Sequence, residues 1–387
     1  MKALLAAVSF ILICAILWDA FETIILPRRV TRRLRLTVIL YLLTWAVWST
    51  IARRMSKGKR RESYLSMFGP LSLIMLLSLW AIGLVLSFAL FQWALGVEIQ
   101  LPGGNQGFTS YLYMSGVTFF TLGFGDVVPL TSQGRFVTVL EAGTGFGFLA
   151  IVIGYLPVIY QAFSRREVNI ALLDARAGTP GTAVEMLRRH GRNRNMEALD
   201  RLLNEWERWS SDLMESHLSY PVLAYFRSQH DNQSWLAALT TILDTCALVI
   251  VGVDGAPVWQ AQLTFAMARH AVVDIAQIFN ASPEAHEFDR LPANGLTHVR
   301  AALQAAGVPL RDGADADQRL IELRRMYEPY IQSLSDAMMM PLPPWMPEKE
   351  VVDNWQTSAW ERNPVVVATK FARVCQRGET GKYSQPV

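Results

Sequence analysis

Cysteine is scarce. The 387 residues hold three, Cys14, Cys246 and Cys375, too widely spaced for a disulfide framework or a CxxC site. The histidines, His190, His217, His230, His270, His286 and His298, lack the paired spacing of a zinc signature. No glycine-rich turn between a strand pattern and a helix pattern follows Arg165, which argues against a dinucleotide-binding domain. Charged residues make up only 18% and the net charge is +3. Nothing in the chain resembles a catalytic constellation. These gaps speak against a secreted disulfide scaffold, a metalloenzyme and a nucleic-acid partner, and they imply no cofactor.

Long apolar runs fill that space. Residues 3–18, 36–52, 69–97 and 136–163 are apolar, and about 20 helical residues span the hydrocarbon layer. The first run follows Met1-Lys2 like a signal peptide. Asp19 and Glu22 come after it without a small-residue cleavage site, so it is read as an uncleaved anchor. From Arg165 the chain turns mixed and charged.

The basic residues cluster. Arg28, Arg29, Arg32, Arg33 and Arg35 occupy one short loop, and Arg53, Arg54, Lys57, Lys59, Arg60 and Arg61 the next. Short basic loops stay on the cytoplasmic side, against anionic headgroups. Two topologies follow. If residues 36–52 cross, the first basic loop lies outside, against that tendency. If they lie along or dip into the inner interface, Tyr41, Trp45 and Trp48 sit at headgroup level, and this is the reading we adopt. Arg29, Arg32 and Arg35 recur like voltage-sensor charges, but no long apolar helix surrounds them, so a solvated basic loop is expected. Asp19 and Glu22 share a helix face. They are expected to pair with Arg28 or Arg29, the alternative being a contact to a neighbouring subunit within the membrane.

Residues 121–126 read Thr-Leu-Gly-Phe-Gly-Asp, set between two apolar runs. A cation crossing a bilayer must replace its water with oxygens, which backbone carbonyls supply when they all face one axis. Gly123 and Gly125 permit the backbone angles that this alignment asks of alternate residues. Upstream, residues 109–120 form a short apolar and aromatic segment behind a Gly-Gly-Asn-Gln-Gly lead-in. Downstream stand Asp126, Pro129, Thr131, Gly134 and Arg135.

Over residues 108–160 this arrangement resembles the pore module of tetrameric potassium channels, including the spacing of those downstream residues. The resemblance implies a homotetramer with an outer helix over 69–97, a pore helix over 109–120, a filter over 121–126 and an inner helix over 135–163. It implies that Thr121, Leu122, Gly123, Phe124 and Gly125 bind K⁺ through backbone carbonyls and the Thr hydroxyl, with no metal elsewhere. Asp126 caps the filter, with Tyr113, Thr118 and Glu141 as its supports. The chain departs from the family where Leu122, Phe124 and Phe120 replace the usual Val, Tyr and Thr, and where Tyr113 and Met114 replace pore-helix tryptophans. The missing hydroxyl implies a filter held by packing alone. The acid that sometimes pairs with the cap is Val117 here, so Asp126 must find another partner or stay solvated.

Glu141 lies inside the fourth apolar run, where an ionisable group is a functional candidate. It can reach Ser115 or Thr118, or pair with Arg135 or Lys2. Gly145 falls at the family's hinge spacing, with close helix packing as the competing reading. Gly143 and Gly147 are read as packing residues, and Pro157 as a kink at the inner mouth. Residues 144–147 imitate a second filter but have no pore helix before them, so four chains are needed for one pore.

Leu199, Leu202, Leu203, Trp206, Trp209 and Leu213 recur at three and four, a helical stripe. Residues 234–253 are apolar enough to cross, but Asp244 interrupts them and a buried core helix is expected. Residues 219–231 mix Tyr, Arg, His and Asp, as either a ligand pocket or a polar interhelical network. Residues 341–347 read as a Pro-rich connector and 377–387 as a loose end.

The sequence therefore predicts an all-α protein: a first transmembrane segment over 1–27, basic loops around 36–52 within 28–68, a pore domain over 69–163, a cytoplasmic helical domain over 164–340 and a connector and tail over 341–387. It predicts a multi-pass cell-membrane potassium channel that contacts the lipid bilayer, its own copies and a cytoplasmic regulator of unknown identity. A weakly selective monovalent cation channel and a membrane-anchored sensor or scaffold with a vestigial pore are the alternatives.

Overall fold

The computed structural model of the chain describes residues 1–26, 35–101, 107–192, 196–229, 233–283 and 289–347. Arg28, Arg29, Arg32, Arg33, most of the pore-helix lead-in, His230, Asp231, His286, Cys375 and the tail beyond 347 lie outside them. The described chain is helical, with one two-residue ladder, in keeping with an all-α membrane protein. It divides into two units, residues 1–163 with Ser219–Phe226, and residues 164–218 with 227–387. Residues 219–226 had been expected within the soluble domain. They belong to the first unit.

In that unit α1 covers Lys2–Ile24 and contains neither Gly nor Pro. Helices α2 (Leu36–Arg54), α3 (Lys59–Ser66) and α4 (Phe68–Leu95) follow. α4 stops where Gly96 takes a left-handed φ of 68°, and its N–H and that of Val97 close on the carbonyls of Trp93 and Gln92. The pore helix α5 is Phe108–Phe119. The last helix, α6, starts at Ser132, where the Thr131 hydroxyl accepts the Gly134 N–H at 3.1 Å. It runs through Pro157 to Ala177, well past residue 163, because the next residues able to break a helix are Gly178 and Pro180.

The direction of α2 follows from its contacts. α1 lies antiparallel to α4. Phe10 meets Phe91 with ring centroids 6.1 Å apart, Ile16 lies against Gly83, and Asp19 accepts from Trp80 Nε1 at 2.9 Å. α2 also descends along α4. Thr37 bonds Asp19 beside Trp80, Trp45 packs on Phe68 at 4.8 Å, and Trp48 stacks on Tyr64 at 4.4 Å. Two helices that both oppose α4 are parallel to each other, so α1 and α2 do not form a membrane-crossing hairpin. α2 starts beside Trp80, about 18 Å along α4 from Phe68 at 1.5 Å per residue, and ends below the start of α4. It covers the N-terminal part of α4.

The second unit holds residues 164–177 of α6, then α7 (Ala183–Arg192), α8 (Met196–Ser219 less its last residue), α9 (Trp235–Gly252), α10 (Val258–Ile278), α11 (Ala293–Ala305), α12 (Ala314–Arg325) and α13 (Glu328–Met338). The stripe Leu199, Leu202, Leu203, Trp206, Trp209 and Leu213 on α8 is buried. Helix α9 is long and apolar enough to cross a membrane, yet 89% of its apolar window is buried by protein, against 22% in α1 and 17% in α6. It is the core of this unit, and α7, α10, α12 and α13 pack on it. Asp244, at its centre, is fully buried. Arg290 meets both its oxygens, at 3.2 and 2.6 Å, and Tyr327 donates to it at 2.5 Å. Burial alone would lower the Arg290 value, but the Asp244 charge and hydrogen bonds hold it above the ordinary arginine range. Trp345 of the Pro-rich segment lies under the guanidinium groups of both Arg290 and Arg324, each 5.7 Å from its ring centre. The connector is thereby packed onto the bundle.

Candidate ion-conduction site

The chain reverses sharply after α5. Phe120 N–H bonds the Gly116 carbonyl, Thr121 N–H that of Thr118 and Leu122 N–H that of Val117, at 2.9 to 3.0 Å. The first filter residue is thus fastened to the end of the pore helix. From there Thr121, Gly123 and Gly125 take φ values of 56°, 63° and 75°. Left-handed residues alternating with ordinary ones turn successive peptide planes over, which lets consecutive carbonyls face one side of an extended strand. The glycines carry this without a Cβ penalty. Thr121 carries it with one, and is one of three non-glycine residues with positive φ among those described. All of residues 120–126 are exposed on the single chain.

Asp126 has a partner. Tyr113 donates its phenolic hydrogen to Asp126 Oδ2 at 2.8 Å, while Oδ1 accepts the Val127 N–H at 3.1 Å. Asp126 was expected to find another partner or stay solvated, and the partner is Tyr113, which ties α5 to the residue after Gly125. Beyond the cap, Ile99–Gln100 and Val128–Pro129 pair as antiparallel strands, β1 and β2, with Ile99 opposite Pro129. Tyr111 donates to the Val97 carbonyl at 2.5 Å. A Cβ on Gly134 would lie 2.3 Å from Val97 Cγ1, so only glycine lets α6 start this close to the end of α4.

Glu141 is fully buried behind the pore helix. Gln92 Nε2 donates to Oε2 at 2.9 Å, and the Ser115 hydroxyl meets Oε1 while lying 2.8 Å from the Val85 carbonyl. One carboxyl group thus joins α4, α5 and α6. Of the partners considered, Ser115 is the one it contacts. Thr118 contributes its backbone carbonyl to Thr121 instead, and Arg135 reaches the Pro129 carbonyl at 3.3 Å. Gln92 was missed by sequence reasoning, although a lone amide in an apolar run was the available signal.

Gly145 meets the end of the pore helix. A Cβ there would lie 1.9 Å from the Phe119 carbonyl oxygen, so this glycine permits close approach of α6 to α5. Around Gly143 and Gly147 an added Cβ meets nothing within 4 Å on the same chain. Within one chain the close approach is at Gly145. α6 remains helical through Pro157.

Asp19 and Glu22 are both buried and close on Arg35, whose Nε is 3.8 Å from Asp19 Oδ1 and 3.4 Å from Glu22 Oε2. Among the described residues Arg35 is their cationic partner; Arg28 and Arg29, the partners expected from the sequence, lie outside those residues. The mixed segment 219–231 is split. Its first eight residues pack in the first unit, whereas Arg227 donates to the carbonyls of Met338 and Met339 in the second.

Residues 74–161 match a family described as ion channel, a segment that includes the pore helix, the filter and most of the apolar part of α6. The chain is also 25% identical over 206 residues to an uncharacterized membrane protein, YdjJ, of Bacillus subtilis (strain 168), covering 51% of this chain and 59% of that protein. No solved structure matches it. With long apolar helices at α1, α4 and α6, this is a multi-pass membrane protein whose residues 74–161 are similar to the ion channel family.

Proposed function

We propose that four copies of this chain form a potassium-selective channel, with the carbonyls of Thr121 to Gly125 replacing the hydration shell of K⁺, the permeating ion. The alternation of left-handed φ at Thr121, Gly123 and Gly125 carries the reading. One exposed strand offers oxygens from one side, and a dehydrated ion needs them from all sides. The ion-channel match over 74–161 supports the same segment. Asp126 adds negative charge at the entrance, where it raises the local cation concentration. The filter side is the outer side and the second unit is cytoplasmic, where it gates the pore through the inner helix α6, with Gly145 and Pro157 as candidate pivots and a ligand or partner as its stimulus.

A weakly selective monovalent cation channel is the second reading. Phe124 favours it, because it carries no hydroxyl and Tyr113 braces the cap rather than the middle of the filter. Purified protein in liposomes decides: reversal potentials near the K⁺ equilibrium value in opposed K⁺ and Na⁺ gradients support selectivity, and values near zero support the second reading. Vesicles impermeable to K⁺ and Rb⁺ would remove both.

A further inference from the structure

Residues Ser219–Phe226 are bounded on both sides by residues of the second unit, yet they pack in the first. Connecting segments normally run over the surface, since their backbone polar groups need water. This one forms a 3-10 turn at Pro221–Tyr225, with the Leu223 and Phe226 N–H groups bonded to the Tyr220 and Leu223 carbonyls, and residues 222–226 are buried. Val222, Leu223 and Phe226 share a core with Tyr155 and Ile159 of α6 and Leu73 of α4. Tyr225 stacks on Tyr41 at 5.7 Å and sits 5.0 Å from Trp45. Phe226 lies directly over Gly69, where an added Cβ would come within 2.7 Å of its ring. The segment is held firmly enough to carry a load.

The place it touches on α6 matters. Tyr155 and Ile159 bracket Pro157, whose missing N–H removes a hydrogen bond and makes that turn the easiest part of the helix to bend. Both peptide bonds that leave the segment, to Leu218 and to Arg227, lead into the second unit. A displacement of that unit therefore reaches the segment through its two ends, and from it Tyr155 and Ile159. We infer that residues 219–226 are a coupling strap through which the second unit sets the position of the inner helix around Pro157, and so opens and closes the pore. This rests on the channel reading.

The test uses the full chain in planar bilayers with symmetric K⁺, comparing open probability in the wild type, Gly69→Ala, Phe226→Ala and the double variant. Gly69→Ala pushes the strap away and Phe226→Ala loosens it. Coupling free energies typically correspond to factors of about 5–150, so each single variant is expected to change the open-to-closed ratio at least about five-fold. Because both act on one contact, the double variant should change it no more than the larger single. Singles that gate like the wild type overturn the strap, as does a double whose effect is the product of the two. So does a lowered melting temperature with unchanged gating. If Phe226→Ala fails to assemble, Phe226→Leu, which alters the same contact, replaces it with the same expectation. A wild type that passes neither K⁺ nor Rb⁺ sinks the channel reading and the strap with it, whereas a conducting wild type with unaffected variants sinks the strap alone.

Discussion

Thr37 presents both its backbone N–H and its hydroxyl to one oxygen of Asp19, at 3.2 and 2.7 Å, and Trp80 Nε1 brings a third donor to that atom at 2.9 Å. This contact pins the start of α2 partway along α1 and α4. The Arg35 guanidinium beside it balances the charge. Removing the acceptor leaves the Thr37 N–H and the Trp80 Nε1–H without this partner and takes away one of the two carboxylates beside Arg35. Asp19→Ala should therefore destabilise the first unit by about 3–5 kcal/mol, the range for breaking a buried ion pair from one side, while Asp19→Asn keeps an acceptor and costs less. Thermal unfolding of the purified variants in detergent measures the difference.

The parallel course of α1 and α2 makes a prediction about sidedness. The beginning of α1 lies toward the end of α4 that leads to the filter, and Ser56, after α2, lies beyond the opposite end. In a background without Cys14, Cys246 and Cys375, a cysteine at Lys2 should react with a membrane-impermeant maleimide in intact cells. One at Ser56 should react only after permeabilisation. Equal labelling of both would contradict the helix register.

The backbone reversal after α5 was legible because its information is local. Gly123, Gly125 and Asp126 lie within four residues, and the turn they require is visible in the residue types. The ends of α4 and α5 were similarly readable within a residue or two from where the apolar runs stop. What escaped depends on distant partners. Asp19 meets Trp80 across 61 positions and Asp244 meets Tyr327 across 83, separations that leave no periodic trace. The segment 219–226 looked like part of the soluble domain because its neighbours in sequence are. Its aromatic residues gave a signal, but nothing local says which core they enter.

Tyr113 braces the filter cap through a single hydrogen bond to Asp126, and both groups are exposed on the chain. Tyr113→Phe removes only the donor. A net hydrogen bond is worth about 1 kcal/mol, so the open state should shorten about five-fold by the corresponding Boltzmann factor, without loss of assembly. Single-channel dwell times report it. Asp126→Asn keeps an acceptor for Tyr113 and should shorten the open state less, but it should give a smaller current at low K⁺, since it removes the entrance charge.

Glu141 joins three helices, so its shape and its oxygens act together. Glu141→Leu preserves volume but leaves the Gln92 amide donor without its partner in a buried site, while the Ser115 hydroxyl keeps the Val85 carbonyl. An unsatisfied buried polar group costs about 1–3 kcal/mol. The variant should lose thermal stability and hold its oligomer less well in detergent, as read by size-exclusion chromatography. Gln92→Leu together with Glu141→Leu should recover part of the loss, because it removes the orphaned group.

His217 supplies a pH dependence that belongs to the second unit alone. Burial, and then the Arg166 guanidinium whose Nη1 lies 3.4 Å from Nε2, lower its value from 6.5 to about 3, against a smaller opposing effect from the Leu213 carbonyl. The Ser216 hydroxyl and the Trp235 ring are its other neighbours. The folded unit thus keeps this imidazole neutral at a pH where the unfolded chain protonates it, so the unfolded state binds more protons and stability falls with falling pH. The contribution is complete above about pH 6.5, the ordinary histidine value, and declines as the pH drops from there toward 3. His217→Gln cannot charge. Its melting temperature should be lower than that of the wild type at pH 8 and should fall less between pH 6.5 and pH 4, so the two curves converge on the acid side. Parallel curves over that range would place the acid sensitivity of this unit in other groups.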